Sequence, residues 1–361
     1  MQLSKILNRD ANNLDIFRVI AACIVIYAHA FSLAPQPGAG DYLGRLLGFD
    51  YSGSLAVKMF FFLSGLVVTN SLLEKRDPIK FVISRVFRIW PAFVFMLLVS
   101  ALIIGPLATN LPLEDYFNNG AVYRYVYTNA SMFPAYELPG VFVNNPYKLV
   151  VNGSIWTIQY EVAAYIVLLG VFLVGIFKSR YVPAVAFLLI ALDPLFGNQL
   201  LFTWMPQNHE INLLLPCFAF GALLAFYKQY INIDIAVVAG CWILYCMFRN
   251  GSHNFYFFYA AFFLTILYVS ALPLMLKMKL GTDTSYGIYL WGFPVQQIMA
   301  DNFPGHGLVF NQIASILICL FAGYLSWHLI EKHAIAFGAM LGRQLTSKRA
   351  LRTSASTPLA M

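Results

Sequence analysis

The chain has 361 residues, of which 60% are hydrophobic and 11% charged, with a formal net charge of +7. A water-soluble domain carries about 25% charged residues, so the composition excludes an ordinary soluble protein. It also makes the positive balance a matter of membrane topology rather than of nucleic-acid binding. Cys23, Cys217, Cys241, Cys246 and Cys319 all lie in apolar stretches without metal-ligand spacing, so they read as small core hydrophobes and no metal site is expected.

Lys5 and Arg9 precede the first apolar run, 14–34, which lacks a small-residue cleavage site and reads as an uncleaved anchor. Further runs follow at 54–73, 84–108, 156–177, 181–200, 210–227, 232–248, 255–276, 284–301 and 307–330. Each is about long enough to cross a bilayer, which predicts an all-α, polytopic transmembrane bundle of about ten helices with both termini on one side. Lysine and arginine identify that side. Lys5, Arg9, Lys75, Arg76, Lys80, Arg85, Arg88, Lys178, Arg180, Lys228, Lys277, Lys279, Lys332, Arg343, Lys348, Arg349 and Arg352 fall at one face, and only Arg45, Arg124, Lys148 and Arg249 in the opposite loops. Basic residues accumulate in the cytoplasm, so the expected orientation is N-in and C-in. One outer loop is long, 109–155, and rich in tyrosine, which suits a substrate-facing role. Three N-x-S sequons, at Asn129, Asn152 and Asn250, fall on that outer side. Residues 1–337 are expected to form one membrane domain, and 338–361 a basic, Ser/Thr-rich, disordered cytoplasmic tail.

Ionisable groups at bilayer depth are costly unless paired or hydrated, so each is a candidate functional residue. In the first span Arg18 and His29 are eleven residues apart, about three helical turns, which puts them on one face about 16 Å apart along the axis. Asp15, one turn before Arg18, is placed to neutralise it. Arg85 and Arg88 share a face at the inner edge of the third span, where guanidinium forks suit phosphate. In the fourth span Ser154 is placed as an N-cap, and Glu161 falls two turns inside the outer edge, at the depth expected of His29. Lys58 is also expected in the outer third, so His29, Glu161 and Lys58 form a candidate proton-transfer set. The charges thus sort by depth into inner arginines and outer acid–base groups. That suits a phosphate-bearing donor arriving from the cytoplasm and an acceptor reached from outside.

Several motifs carry a resemblance. They are Leu14-Asp15-Ile16-Phe17-Arg18 with His29, Phe60-Phe61-Phe62-Leu63-Ser64-Gly65, Arg85-Val86-Phe87-Arg88-Ile89-Trp90-Pro91, Ser154 to Glu161, Ser285 to Pro294, and Leu329-Ile330-Glu331-Lys332. In this order the sequence resembles the membrane-bound acyltransferase 3 family. The resemblance implies an inner-membrane O-acetyltransferase that moves an acetyl group from cytoplasmic acetyl-CoA to a hydroxyl of a cell-surface or exported carbohydrate, with acetyl-CoA as substrate and no bound cofactor. It also implies that Arg18 and His29 are essential, that Arg85 and Arg88 assist the donor, and that Glu161 matters. Many members carry a histidine where this chain has Gly292.

The mechanism expected from these readings is direct transfer. The donor phosphates bind Arg85 and Arg88, His29 oriented by Glu161 deprotonates the sugar hydroxyl, and Trp156 and Tyr160 help hold the sugar. Ser64 is a remote candidate for a covalent intermediate. The competing readings are a transporter or flippase built around a proton relay, an enzyme using another acyl-CoA such as succinyl-CoA, and a non-catalytic assembly subunit.

Overall fold

In lipid every backbone polar group must be satisfied within the protein, and helices do this within one segment. The computed structural model describes residues 1–196, 201 and 209–355, and among them no strand occurs, only isolated bridges such as Thr109 with Val141 and Glu137 with Val150. The main helices are α1 (Leu14–Leu33), α2 (Ser52–Lys75), α3 (Pro78–Val99), α4 (Trp156–Leu173), α5 (Val182–Leu192), α6 (Leu214–Phe226), α7 (Ile235–Met247), α8 (Asn254–Ser270), α9 (Ser285–Asn302) and α10 (Gly307–Ser326). Five stretches are long and apolar enough to cross a membrane on length and composition: Leu14–Leu33, Ser52–Lys75, Pro78–Ala108, Trp156–Leu173 and Gly307–Thr346. The helices between α4 and α9 are shorter. The end of the expected run 181–200 lies outside the described residues.

Without a hydrophobic drive between helices in lipid, close approach of small residues matters most. The most extensive pairing is α2 on α6, and it rests on two glycines. A Cβ at Gly65 would meet the Phe218 carbonyl oxygen at 2.0 Å, and one at Gly221 the Phe62 carbonyl oxygen at 2.2 Å. Helix α9 packs against both α10 and α1, with Gly292 directly over Ile26.

Helix α3 continues through a widened turn, Ser100–Ile104, into Gly105–Ala108. Here the Tyr116 hydroxyl donates to the Ala101 carbonyl at 2.8 Å and fills the space a Cβ on Gly105 would need. A side chain inserted into the helical ladder explains the wide turn. The 109–155 loop contains two short helices, Leu113–Asn118 and Gly120–Ala130, and is stitched to α9. Asn152 Nδ2 donates to the Leu290 carbonyl at 3.0 Å, and Gln297 Nε2 donates to the carbonyls of Tyr147 and Val150 at 2.7 and 2.6 Å. Two of the three sequon asparagines are therefore structural: Asn129 and Asn152 are buried and hydrogen-bonded.

Two expectations are corrected. No break occurs at 337/338: α10 runs through Trp327–Glu331 into a helix, Lys332–Ala355, that packs on α3. Gly338 lies against Phe87, and Thr346 Oγ1 donates to Asp77 at 3.0 Å, so the residues read as a tail extend the bundle at least that far. The Ser154 side chain does not cap α4. The helix starts after Ile155, the Ser154 Oγ is buried without a partner, and its carbonyl accepts from Tyr289 instead.

Candidate active site

Helices α1, α2, α3, α4 and α9 enclose a cavity of about 240 Å³ whose lining includes Arg18, Ser64, Arg85, Arg88, Glu161, Tyr165, Asp283 and Tyr286. Arg18 reaches it from the first turns of α1 and Arg88 from the third turn of α3, both near the end of the bundle where lysine and arginine collect.

Two of the three arginines are held by carboxylates. Arg88 donates to Asp283 at 2.5 Å and to Glu331 at 3.0 Å, and Arg18 lies 3.4 Å from the same Asp283 oxygen and 3.5 Å from Asp15. Asp283 sits in the connection before α9, where it also accepts from Ser285 Oγ at 2.5 Å. Its burial would raise the carboxyl pKa, but Arg88, Arg18 and the Ser285 hydrogen bonds outweigh that and hold it at about 2. Arg85 differs. Among the described residues no carboxylate pairs with it; its Nε meets Ser84 Oγ at 3.3 Å and its guanidinium lies 5.6 Å from the Tyr165 ring. Arg85 also borders a smaller pocket, of about 20 Å³, whose lining includes Lys75, Asp77 and Lys80. Val68 and Arg85 border both spaces, so the main cavity lies next to the basic end of the bundle.

Glu161 belongs to this cavity and not to His29. Its Oε1 accepts from Ser64 Oγ at 3.3 Å and from the Tyr165 hydroxyl, and Ser64 Oγ lies 2.8 Å from that hydroxyl. His29 lines a separate chamber of about 20 Å³ with Tyr51, Trp156, Thr157, Glu210 and Tyr289. Val57, Thr157 and Tyr289 border both spaces. The Thr157 and Tyr289 hydroxyls, 2.6 Å apart, thus stand between the arginine cavity and the histidine chamber. His29 packs edge-on against Phe293, with ring centroids 5.4 Å apart, and its Nδ1 is buried without a hydrogen-bond partner.

The outer set expected from depth is therefore not formed as a unit. Lys58 is fully buried in an ion pair with Asp50 at 2.5 Å, donates to Ser54 at 2.8 Å, and borders neither the cavity nor the chamber. The Tyr259 hydroxyl also donates to Asp50 and completes the pair. Burial in low dielectric demands such pairing, and Asp50 at the end of an outer connection gave no sequence sign of it. Trp156 stands in the His29 chamber, whereas Tyr160 is buried behind it, its ring 5.8 Å from Trp156. Gly292 does not face His29: a Cβ there would meet Ile26 at 2.9 Å, so the space beside it is filled from α1.

The family model for the acyltransferase domain matches residues 11–331, which takes in every element of this site. The chain belongs to the acyltransferase 3 family. As a member it is a helical membrane O-acyltransferase. Among characterised relatives, an O-acetyl transferase of Shigella phage Sf6 is 26% identical over 89% of this chain and 95% of its own length. Nodulation protein 10 of Rhizobium leguminosarum bv. viciae is 29% identical over 44% of this chain and 43% of its own. No solved structure matches. The family's acyl-transfer chemistry needs an activated hydroxyl, a bound acyl donor and a shared reaction point.

Proposed function

We propose that the protein is a plasma-membrane O-acetyltransferase, moving acetyl groups from cytoplasmic acetyl-CoA to a hydroxyl of a cell-surface or exported carbohydrate. One observation carries the reading: a cavity bordered by three arginines, approached from the basic end, abuts the His29 chamber across two hydroxyl-bearing residues. The name of the phage relative supports acetyl as the group transferred.

In this reading the donor phosphates meet Lys75, Lys80 and Arg85 at the basic mouth. Among the described residues no carboxylate holds Arg85, while Arg18 and Arg88, held by Asp283 and Glu331, shape the wall beside it. The acyl-bearing arm extends through the cavity and brings its thioester to the partition. His29 takes the proton of the acceptor hydroxyl as its oxygen attacks the thioester carbonyl. The tetrahedral intermediate collapses, the carbon–sulfur bond breaks, and the departing thiolate recovers the proton from the imidazolium. The products are the acetyl ester and free coenzyme A. Glu161, occupied by Ser64 and Tyr165, fixes the cavity wall rather than the histidine.

The test is release of free thiol from acetyl-CoA by purified protein supplied with methyl glycosides, together with mass spectrometry of surface glycans from cells lacking and re-expressing the gene. We expect His29→Ala to lower transfer by at least about 100-fold, and acetylation to return with the wild-type gene only. Full activity of the alanine variant would overturn the assignment of the base. Consumption of succinyl-CoA in preference to acetyl-CoA would overturn the assignment of the donor.

A further inference from the structure

The Thr157 and Tyr289 hydroxyls stand between the arginine cavity and the His29 chamber, and the acceptor they share is oversubscribed. The carbonyl of Ser154, just before α4, has three donors within reach: the Tyr289 hydroxyl at 2.9 Å, the Thr157 hydroxyl at 3.2 Å and the Thr157 N–H at 3.5 Å. A carbonyl oxygen offers two lone pairs. Both Thr157 donors lie three residues along the chain from their acceptor and stay with it, as threonine hydroxyls commonly do with a carbonyl one turn back. Tyr289 comes from α9 and is the surplus donor. Its hydroxyl can rotate to another acceptor without leaving a buried carbonyl unpaired, which is the loss that makes such bonds expensive to break.

The rest of the tyrosine is fixed. It is buried on α9, its ring meets Phe60 of α2 edge-on with centroids 5.9 Å apart, and its hydroxyl lies 2.6 Å from that of Thr157. The side chains bordering both spaces are Val57, Thr157 and Tyr289. Valine has no polar atom to offer, and the threonine serves its own helix. Tyr289 thus presents a hydrogen-bond donor where the two spaces adjoin, and only the hydroxyl proton has to move.

Resting on the proposed transfer between a thioester in the cavity and a hydroxyl at His29, we infer that Tyr289 is a further catalytic residue, the hydrogen-bond donor to the thioester carbonyl oxygen. As the acceptor oxygen forms its bond to the carbonyl carbon, the π electrons move onto the carbonyl oxygen. The Tyr289 hydroxyl turns from Ser154 to that oxyanion and donates to it without giving up its proton, while Thr157 keeps the Ser154 carbonyl. Collapse restores the carbon–oxygen double bond, breaks the carbon–sulfur bond and returns the hydroxyl to Ser154. The hydrogen bond is strongest when the charge is greatest, so it lowers the barrier and adds little to donor binding.

The experiment uses full-length protein in nanodiscs with acetyl-CoA and a panel of hexose methyl glycosides. Thiol release gives the rate, and calorimetric binding of acetyl-CoA checks that the donor site is folded. Tyr289→Phe is expected to lower kcat about 100- to 1,000-fold, the range for loss of one oxyanion donor. The glycoside KM and the acetyl-CoA Kd are expected to stay at their wild-type values. Thr157→Val, which leaves the tyrosine in place, is expected to cost less than about 10-fold, the worth of one neutral hydrogen bond. The inference is overturned if Tyr289→Phe keeps the wild-type kcat, or weakens acetyl-CoA binding with kcat intact. It is also overturned if Tyr289→Phe fails to fold, because a surplus donor is not needed by the fold. A loss in Thr157→Val as large as that in Tyr289→Phe overturns it too, by giving the donor role to the threonine. Should wild-type protein release no thiol with any glycoside, the proposed transfer itself falls and takes the role of Tyr289 with it.

Discussion

Replacing Asp283 with asparagine tests the frame on which the arginine cavity stands. The carboxylate meets Arg88 at 2.5 Å and Arg18 at 3.4 Å, with its side chain 13% exposed and those of the arginines 21% and 20%. Its fall from 3.8 to about 2 corresponds to about 2 kcal/mol of preference for the charged form in the folded protein. Breaking a fully buried pair from one side costs about 3–5 kcal/mol. This site is partly hydrated, and Arg88 retains Glu331 at 3.0 Å, so the lower end applies. We expect Asp283→Asn to lose about 2–3 kcal/mol of stability, measured by reversible unfolding in mixed detergent and SDS micelles. The pH dependence follows in sign. The folded-state pKa is depressed, so the contribution is fully present above the unfolded value near 4 and is lost as pH falls through about 2. Wild type should therefore lose stability across that window by more than the variant. A variant as stable as wild type at pH 7, with the same acid limb, would refute the view that Asp283 holds the two arginines.

Further outcomes separate framework from function. Arg85→Ala should raise the KM for acetyl-CoA about 10-fold or more with little loss of stability, because no carboxylate among the described residues depends on it. Arg88→Ala should also destabilise by about 3 kcal/mol, since it leaves the buried Glu331 without its ion-pair partner and Asp283 with Arg18 alone; parallel kinetic and unfolding measurements distinguish the two. Lys58→Met should cost about 3–5 kcal/mol by leaving Asp50 buried and unpaired, and the fraction that folds should keep the wild-type kcat. Gly65→Ala should destabilise by about 1–3 kcal/mol or more, because its methyl group falls on the Phe218 carbonyl of α6, and thermal denaturation in detergent reads this directly.

The apolar runs, their lengths and the distribution of lysine and arginine were sufficient to specify a helical membrane bundle, because lipid permits few ways to satisfy a backbone and the period of each run is local information. Arg18, Arg85, Arg88 and His29 were visible as charges or imidazole in apolar surroundings, and the motifs around them carried the family. What each polar group touches was not local information. Depth along a helix places a residue on one axis only. It put Glu161 level with His29 but did not show that the α4 side chain turns to Ser64 and Tyr165, or that Lys58 turns to Asp50 from a loop. Asp283, Glu331 and Glu210 come from a connection, a widened turn within a long continuous helix and a short helix, far apart in sequence from the arginines and the histidine they lie beside. Long-range packing of α1, α2, α3, α4 and α9 decided those partners, and with them the division into an arginine cavity and a histidine chamber. A buried charge takes whichever partner the packing brings within reach, so only the tertiary structure could name it.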